Sequence, residues 1–213
     1  MRLEDIVKFD GPFASACFQA MSSIQGKLKR MRNEDGNIDE QNYVLELAGS
    51  IGAELTPTEF LLGGELRKEI TSSNEAVRKL IARIKNEPEG YTLPNVTVKP
   101  DYAIHYFVKR ENLDGTTQKV VIEAKTTNRL AQDSFSWDLY KLGAYVNELS
   151  FQTAIYLIIN TDRARVETLL DGYKEQGLPE IKVPTGRLLF FIQDSIDSAP
   201  KPYVLNCLVE NHE

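Results

Sequence analysis

The chain has 213 residues, of which 42% are hydrophobic and 26% are charged, a composition typical of a globular domain with a sizeable core. The formal net charge of −6 excludes a uniformly basic surface, so any contact with nucleic acid must come from local basic patches. Only two cysteines and two histidines are present, which argues against a disulfide framework, a zinc site and a Ser-His-Asp triad.

Residues 1–90 are predicted to be mainly helical. The prediction rests on apolar residues that recur at helical spacing. Four helical stretches are expected on this basis: 1–32, Asp39–Leu55, Pro57–Ile70 and a stretch that follows the capping residues 72–74. We therefore predict a helical N-terminal region, residues 1–90, whose last helix (73–87) packs as part of the core that follows.

Residues 91–213 are predicted to form a mixed α/β core. The continuous apolar run Thr153–Asn160 is typical of a strand that is buried on both faces. The other expected elements are strands near Tyr91–Val98, Ala103–Val108, Lys119–Lys125, Arg187–Gln193 and Tyr203–Glu210, and helices over Trp137–Leu149 and Thr161–Gln176. Strands that alternate with helices in this way indicate an α/β sheet flanked by helices.

Two carboxylates and a lysine lie at the ends of two neighbouring predicted strands. Asp101 precedes one strand, and Glu123 and Lys125 close the next. Because side chains alternate along a strand, Glu123 and Lys125 share a face, while Ala124 points into the core and leaves its carbonyl available. Carboxylate and carbonyl oxygens are the ligands that Mg²⁺ or Mn²⁺ prefers, and a lysine ammonium stabilises a phosphodiester transition state. The stretch predicts metal-assisted phosphodiester hydrolysis.

The turn between these strands tests that prediction. Asp114-Gly115 is a strong signal for a two-residue hairpin. A hairpin at that turn would leave Asp101 about five residues out of line with Glu123, which at ~3.3 Å per residue is roughly 16 Å. Two carboxylates so far apart cannot share a metal ion.

A shared site therefore requires a different strand register. The pairing must be centred near Asn112, and this requires an irregular loop or a bulge within Lys109–Gln118. The alternative is that Asp101 is an ordinary turn residue and that Glu123 and Lys125 form a surface pair.

Pro100-Asp101, followed after 21 intervening residues by Glu123-Ala124-Lys125, resembles the motif of the PD-(D/E)XK nuclease superfamily. The resemblance implies a restriction-endonuclease-like α-β-β-β-α-β core, with Ala76–Lys85 as its first helix. It also implies that Asp101 and Glu123 bind metal and that Lys125 is the catalytic lysine. Mg²⁺ or Mn²⁺ would be the cofactor.

Further site members are predicted less directly. Many relatives in this superfamily add a glutamate from a preceding helix, and Glu46, Glu69 and Glu75 are the candidates. We favour Glu46 because it borders an apolar stripe. RecB-like members carry Gln-X-X-X-Tyr after the lysine, whereas this chain has Lys141 and Tyr145 at that spacing, so Lys141 becomes a candidate phosphate contact.

A basic cluster follows the first predicted helix and is a second candidate for nucleic-acid contact. It contains Lys27, Lys29 and Arg30. The simpler interpretation is a solvated helix end whose positive charge suits the helix dipole.

The predicted activity is a metal-dependent endonuclease that acts on DNA, of the restriction or defence type. The alternatives are an RNA endonuclease and a non-catalytic nucleic-acid-binding or regulatory module that keeps the fold. Because cutting both strands of a duplex takes two active sites, a homodimer is a further expected partner. No segment approaches the ~20 apolar residues of a membrane span, and the charged N-terminus does not resemble a signal peptide. We therefore expect a cytoplasmic location and no membrane partner.

Overall fold

The computed structural model describes residues 1–6, 8–9, 11–34, 37–55, 60–63, 68–71, 74–85, 95–106 and 118–206, without the side chains of 60–63, 68–71, 95–97 and 105–106. In this part of the chain, the strands are β1 (Arg2–Asp5), β2 (Phe60–Gly63), β3 (Lys68–Thr71), β4 (Asn95–Val98), β5 (Tyr102–Tyr106), β6 (Gln118–Lys125), β7 (Thr153–Ile159), β8 (Leu188–Gln193) and β9 (Lys201–Asn206). The helices are α1 (Pro12–Ile24), α2 (Glu40–Glu54), α3 (Glu75–Lys85), α4 (Gln132–Asn147) and α5 (Arg163–Glu175), and a 3₁₀ helix (Gln25–Met31) follows α1.

The fold is centred on a mixed sheet of seven strands in the order β1-β9-β8-β7-β6-β5-β2. The three central strands β6, β7 and β8 are parallel, and the outer pairings are antiparallel. Parallel neighbours need long crossover connections, which α4 and α5 provide. β3 and β4 form a separate two-stranded sheet. The predicted mixed α/β class is confirmed.

Helices cover both faces of the sheet and create two hydrophobic layers. One layer packs α3, α4 and α5 against alternate residues of the central strands, including Val121 of β6 and Ile158 of β7. The other packs α1 and α2 against the opposite residues, including Ile122 and Leu157. Every residue of β7 after Thr153 is consequently buried, as its continuous apolar sequence predicts.

Side-chain caps begin three of the helices where the sequence changes from polar to periodic apolar residues. Asp39 accepts a 3.0 Å hydrogen bond from the backbone N–H of Asn42 at the start of α2. Asp162 accepts one from Arg165 at 2.7 Å at the start of α5. The side chain of Asn74 accepts from the backbone of Ala76 at 2.9 Å, which confirms the predicted start of α3.

The N-terminal region differs from its prediction. The prediction of a helix over Pro57–Ile70 is wrong. The described parts of this segment are strands β2 and β3, which pair with β5 and β4, respectively. The start of the chain is also a strand, since β1 pairs with β9 near the other end of the sequence. Pairing with distant strands overrides weak helical periodicity in such short segments. Residues 1–90 therefore contribute strands to the same sheet as residues 91–213.

The register of β5 and β6 decides whether the predicted site can form. Tyr102 lies opposite Ile122, so the pairing is centred near Asn112, as a shared site requires. The register then shifts by one residue. Ile104 pairs with Val120, but the next residue of β5 pairs with Gln118, so Lys119 of β6 is left out of the register and forms a bulge. The bulge lies one residue beyond the interval in which we predicted an irregularity. The Asp114-Gly115 turn lies outside the described residues.

Candidate functional site

Asp101 and the end of β6 are joined by a direct hydrogen bond. The Oδ2 atom of Asp101 accepts a 2.7 Å hydrogen bond from the backbone N–H of Ala124. This bond lies just beyond the pair Tyr102–Ile122 and places Asp101 beside the peptide group that links Glu123 and Ala124. The two halves of the sequence motif therefore meet in space.

Glu123 is a buried carboxylate, with 1% of its surface exposed. Its Oε2 atom lies 2.7 Å from the Nζ atom of Lys141. Its Oε1 atom accepts a 3.3 Å hydrogen bond from the hydroxyl of Tyr145. Burial raises the pKa of Glu123 well above its ordinary value, and the negative charges of Asp138 and Asp101 reinforce that rise against the opposing effect of Lys141.

Lys125 lies among carboxylates at the end of β6. Its Nζ atom is 3.2 Å from Oε1 of Glu40 and 3.4 Å from Oδ2 of Asp138. It also donates a 3.0 Å hydrogen bond to the carbonyl of Ala124. Burial lowers the pKa of Lys125, but the surrounding carboxylates outweigh burial and raise it above the ordinary value. The side chain is therefore an ammonium at neutral pH.

Asp138 and Lys141 of α4 complete the cluster. Oδ1 of Asp138 lies 2.9 Å from Nζ of Lys141, and Oδ2 accepts a 3.2 Å hydrogen bond from the hydroxyl of Tyr156. The sequence prediction missed Asp138. A signal was present, because Asp138, Lys141 and Tyr145 are spaced three and four residues apart, which places them on one face of a helix.

Glu40 is the other residue that the sequence prediction missed. It is the first residue of α2, where a negative charge suits the helix dipole. The start of α2 is held against the end of β6 by Thr126, whose hydroxyl donates a 2.7 Å hydrogen bond to the carbonyl of Ile38. Burial raises the pKa of Glu40, Lys125 lowers it, and the nearby carboxylates leave it above its ordinary value.

The other predicted acidic candidates have different surroundings. Glu46 forms a 2.6 Å ion pair with Lys27 on the exposed side of α2. Glu40 lies more than one turn earlier on α2, at the helix end that faces Lys125, and is the α2 carboxylate that contacts the cluster. Glu75 is exposed and pairs with Lys79 at 2.8 Å. The side chain of Glu69 lies outside the described residues.

The predicted basic contacts are divided between two places. Lys27 and Arg30 line a surface groove of about 840 Å³ between the 3₁₀ helix and α2, and Lys29 pairs with Asp197 at 2.8 Å. Lys141, in contrast, is 7% exposed and lies inside the carboxylate cluster. The packing of α4 on β6 turns its ammonium toward Glu123 and Asp138, and its role as a phosphate contact stays a prediction.

The charge of the cluster is relevant to metal binding. Four carboxylates (Glu40, Asp101, Glu123 and Asp138) interact with two ammonium groups (Lys125 and Lys141), so the fully ionised cluster is negative. Within the described ranges, there is no group of three or more histidine, cysteine, aspartate or glutamate side chains placed to hold a metal ion. The hard oxygen donors and the uncompensated negative charge nevertheless fit a divalent cation such as Mg²⁺. Asp101, Glu123 and the carbonyl of Ala124 are the groups that could hold it.

No family model, curated protein or solved structure matches this chain. Among the helices in the described part of the chain, none has the length and apolar character needed to cross a membrane. The geometry and chemistry of the site are therefore the basis for functional inference.

Proposed function

We propose that the chain is a metal-dependent endonuclease that hydrolyses phosphodiester bonds in DNA, of the restriction or defence type. The observation that carries the proposal is the hydrogen bond from the N–H of Ala124 to Asp101, which joins the Pro-Asp and Glu-Ala-Lys halves of the motif. Burial of Glu123 beside this bond supplies a desolvated carboxylate. Lys125 supplies a permanent positive charge on the same face of the sheet.

The arrangement of the elements supports a restriction-endonuclease-like core. In chain order, α2, β2, β5, β6, α4 and β7 follow the α-β-β-β-α-β order that the resemblance to PD-(D/E)XK nucleases implies. The four strands are also adjacent in the sheet, in the order β2-β5-β6-β7. This alignment makes α2, and not α3, the first core helix, and α3 with the β3–β4 sheet becomes an insertion.

The acidic groups would act as ligands in this mechanism. Asp101, Glu123 and the carbonyl of Ala124 would hold Mg²⁺ or Mn²⁺, and Glu40 would provide the additional carboxylate from the preceding helix. When bound, the metal would polarise the phosphate and lower the pKa of the attacking water. The hydroxyl of Tyr145 orients the Glu123 carboxylate through the hydrogen bond at Oε1.

Lys125 would stabilise the negative charge that develops on the phosphate. Its ammonium is held by Glu40 and Asp138, so it is oriented before substrate binds. A charged donor that is already oriented for the transition state contributes about a hundredfold to a thousandfold to the rate in comparable sites. The raised pKa of Lys125 keeps this charge present across the neutral pH range.

A cleavage assay with matched metal conditions tests the proposal. Supercoiled plasmid and single-stranded RNA are incubated with the protein in Mg²⁺, in Mn²⁺ and in EDTA, beside Asp101→Asn. The amide oxygen of the substituted side chain keeps an acceptor for the N–H of Ala124, so the variant retains the local geometry while it loses the charge. We expect metal-dependent plasmid cleavage that falls by about a hundredfold or more in D101N.

A specific observation favours a second candidate, a non-catalytic nucleic-acid-binding or regulatory module. Glu123 already has a cationic partner in Lys141 at 2.7 Å, so part of the charge of the site is balanced without a metal. This candidate predicts binding of plasmid or RNA in a gel-shift assay with no cleavage in either metal. Cleavage of RNA alone would instead support the RNA endonuclease, and cleavage of plasmid would exclude the module.

A further inference from the structure

The position of Lys141 differs from that of an ordinary surface lysine. Its Nζ atom lies between two buried carboxylates, 2.7 Å from Oε2 of Glu123 and 2.9 Å from Oδ1 of Asp138. The ammonium lies over the ring of Trp137, 6.0 Å from the ring centroid. Two carboxylate oxygens within hydrogen-bond distance hold the amine as an ammonium ion. A permanent cation thus touches the carboxylate that would bind metal.

The binding of a second cation to the same buried carboxylate is opposed by electrostatic repulsion. Like charges a few ångströms apart repel strongly where water is excluded. Glu123 is fully buried, so little solvent is available to screen an ammonium from a divalent ion. Metal binding at Glu123 must therefore either displace Lys141 or overcome its repulsion.

The structure provides a second acceptor for the displaced ammonium. Asp138 bonds to Lys141 through Oδ1, and it has a separate oxygen, Oδ2, for Lys125 and Tyr156. If Lys141 leaves Glu123, it keeps Asp138, and a buried charge is not left without a partner. Release from Glu123 therefore breaks only one of the two ion pairs that Lys141 makes.

We propose that Lys141 is an internal counter-ion of Glu123 and that a divalent cation must take Glu123 over from its ammonium. This inference rests on the proposed function, because it assumes that the site binds Mg²⁺ or Mn²⁺. Lys141 then sets the metal affinity of the site and keeps it low in the absence of substrate. The phosphate of a bound nucleic acid adds negative charge next to the metal and favours the loaded state.

Mn²⁺ binding to the full chain tests this role directly. Titration calorimetry and the electron paramagnetic resonance signal of free Mn²⁺ are measured for the wild type and for Lys141→Gln. Glutamine keeps a hydrogen-bond donor for Glu123 but removes the competing charge. We expect Lys141→Gln to bind Mn²⁺ about tenfold more tightly or better, because the repulsion is gone.

A matched control separates this effect from a general change in net charge. Lys174 forms an ion pair with Asp171 at the same three-residue spacing on α5, but on the exposed surface. Lys174→Gln should leave the Mn²⁺ affinity within about twofold of the wild type, because exposed charges are screened. Lys141→Arg keeps the positive charge and should retain the weak affinity.

A measurement on the wild-type protein covers the case in which Lys141→Gln does not fold. In protein labelled with ¹⁵N-lysine, the ammonium resonance of Lys141 is assigned by its loss in Lys141→Arg. We expect Mg²⁺ to shift this resonance, and the resonance of Lys174 to stay in place.

Three results would overturn the inference. The first is a Mn²⁺ affinity in Lys141→Gln no higher than that of the wild type, and the second is an unchanged Lys141 resonance in saturating Mg²⁺. Either result together with metal binding and cleavage by the wild type removes only the role of Lys141. The third is that neither protein binds Mn²⁺ at millimolar concentration, in which case the proposed function fails as well.

Discussion

The Oδ2 atom of Asp101 and the backbone nitrogen of Ala124 lie 2.7 Å apart, and this hydrogen bond joins β5 and β6 at the candidate site. The bond uses a main-chain donor between Glu123 and Lys125, so neither of those side chains is needed to make it. Substitutions at Glu123 and Lys125 should therefore leave Asp101 in place. This property makes the chemistry of the site testable one side chain at a time.

The charge of Lys125 is expected to act in catalysis and not in metal binding. Lys125→Met keeps the aliphatic stem and removes the ammonium, and we expect plasmid cleavage to fall by roughly 10²–10³-fold. The Mn²⁺ affinity should stay equal or increase, because a positive charge has left the cluster. Lys182→Met is the control, since Lys182 is exposed beside Glu180. Cleavage by Lys125→Met within a few fold of the wild type would contradict this role.

Two glutamates of α2 are expected to differ in function despite lying on the same helix. Glu40 bonds to Lys125 at 3.2 Å, whereas Glu46 bonds to Lys27 at 2.6 Å on the exposed surface. Glu40→Gln should lower metal-dependent cleavage by about tenfold or more, because it removes a ligand charge and an anchor of Lys125. Glu46→Gln should have no effect on the cleavage rate. Equal rates for the two variants would exclude Glu40 from the site.

Glu123 should make the stability of the metal-free protein depend on pH. Burial raises the pKa of Glu123 in the folded state, so folding favours the protonated carboxyl. Its contribution to stability is complete below the unfolded pKa of about 4.3 and is lost as the pH rises through the higher folded pKa. Glu123→Gln carries no titratable carboxyl at this position, so its stability lacks this dependence on pH.

Thermal unfolding in EDTA between pH 4 and 8 measures this effect. The melting temperature of Glu123→Gln minus that of the wild type should become more positive as the pH increases. Addition of Mg²⁺ should reduce the difference, because the metal stabilises the ionised carboxylate of the wild type. A difference that stays constant over the pH range would contradict the raised pKa.

Thr126 is expected to stabilise the protein and to position Glu40. Its buried hydroxyl donates to the carbonyl of Ile38 at 2.7 Å, two residues before Glu40. Thr126→Val should lower the free energy of unfolding by about 1–3 kcal/mol, because a buried carbonyl loses its donor. It should also reduce cleavage, by less than Glu40→Gln does.

An exposed threonine provides the control for that substitution. The hydroxyl of Thr168 donates to the carbonyl of Ala164 on the surface of α5 at 3.0 Å. Thr168→Val should change the free energy of unfolding by about 0.5 kcal/mol or less. Urea denaturation of both variants gives the comparison, and equal losses would show that the hydrogen bond of Thr126 has no special role.

The sequence alone determined the elements whose signals are local. The apolar runs of β6 and β7 predict strands, and side-chain direction alternates along a strand. The same alternation places Glu123 and Lys125 on one face. Asp101, Glu123 and Lys125 could therefore be chosen as site candidates before the fold was known.

Only the tertiary structure decided which other charges join the site. Glu40 reaches Lys125 across 85 residues of sequence, and Thr126 holds the start of α2 across 88. The spacing of Lys141 from Asp138 and Tyr145 places the three on one helix face, but only the packing of α4 over β6 brings its ammonium to Glu123 and buries it. The β2 and β3 strands likewise depend on distant partners. Such contacts carry no local signal, because they result from strand register and helix packing between segments that are far apart in the chain.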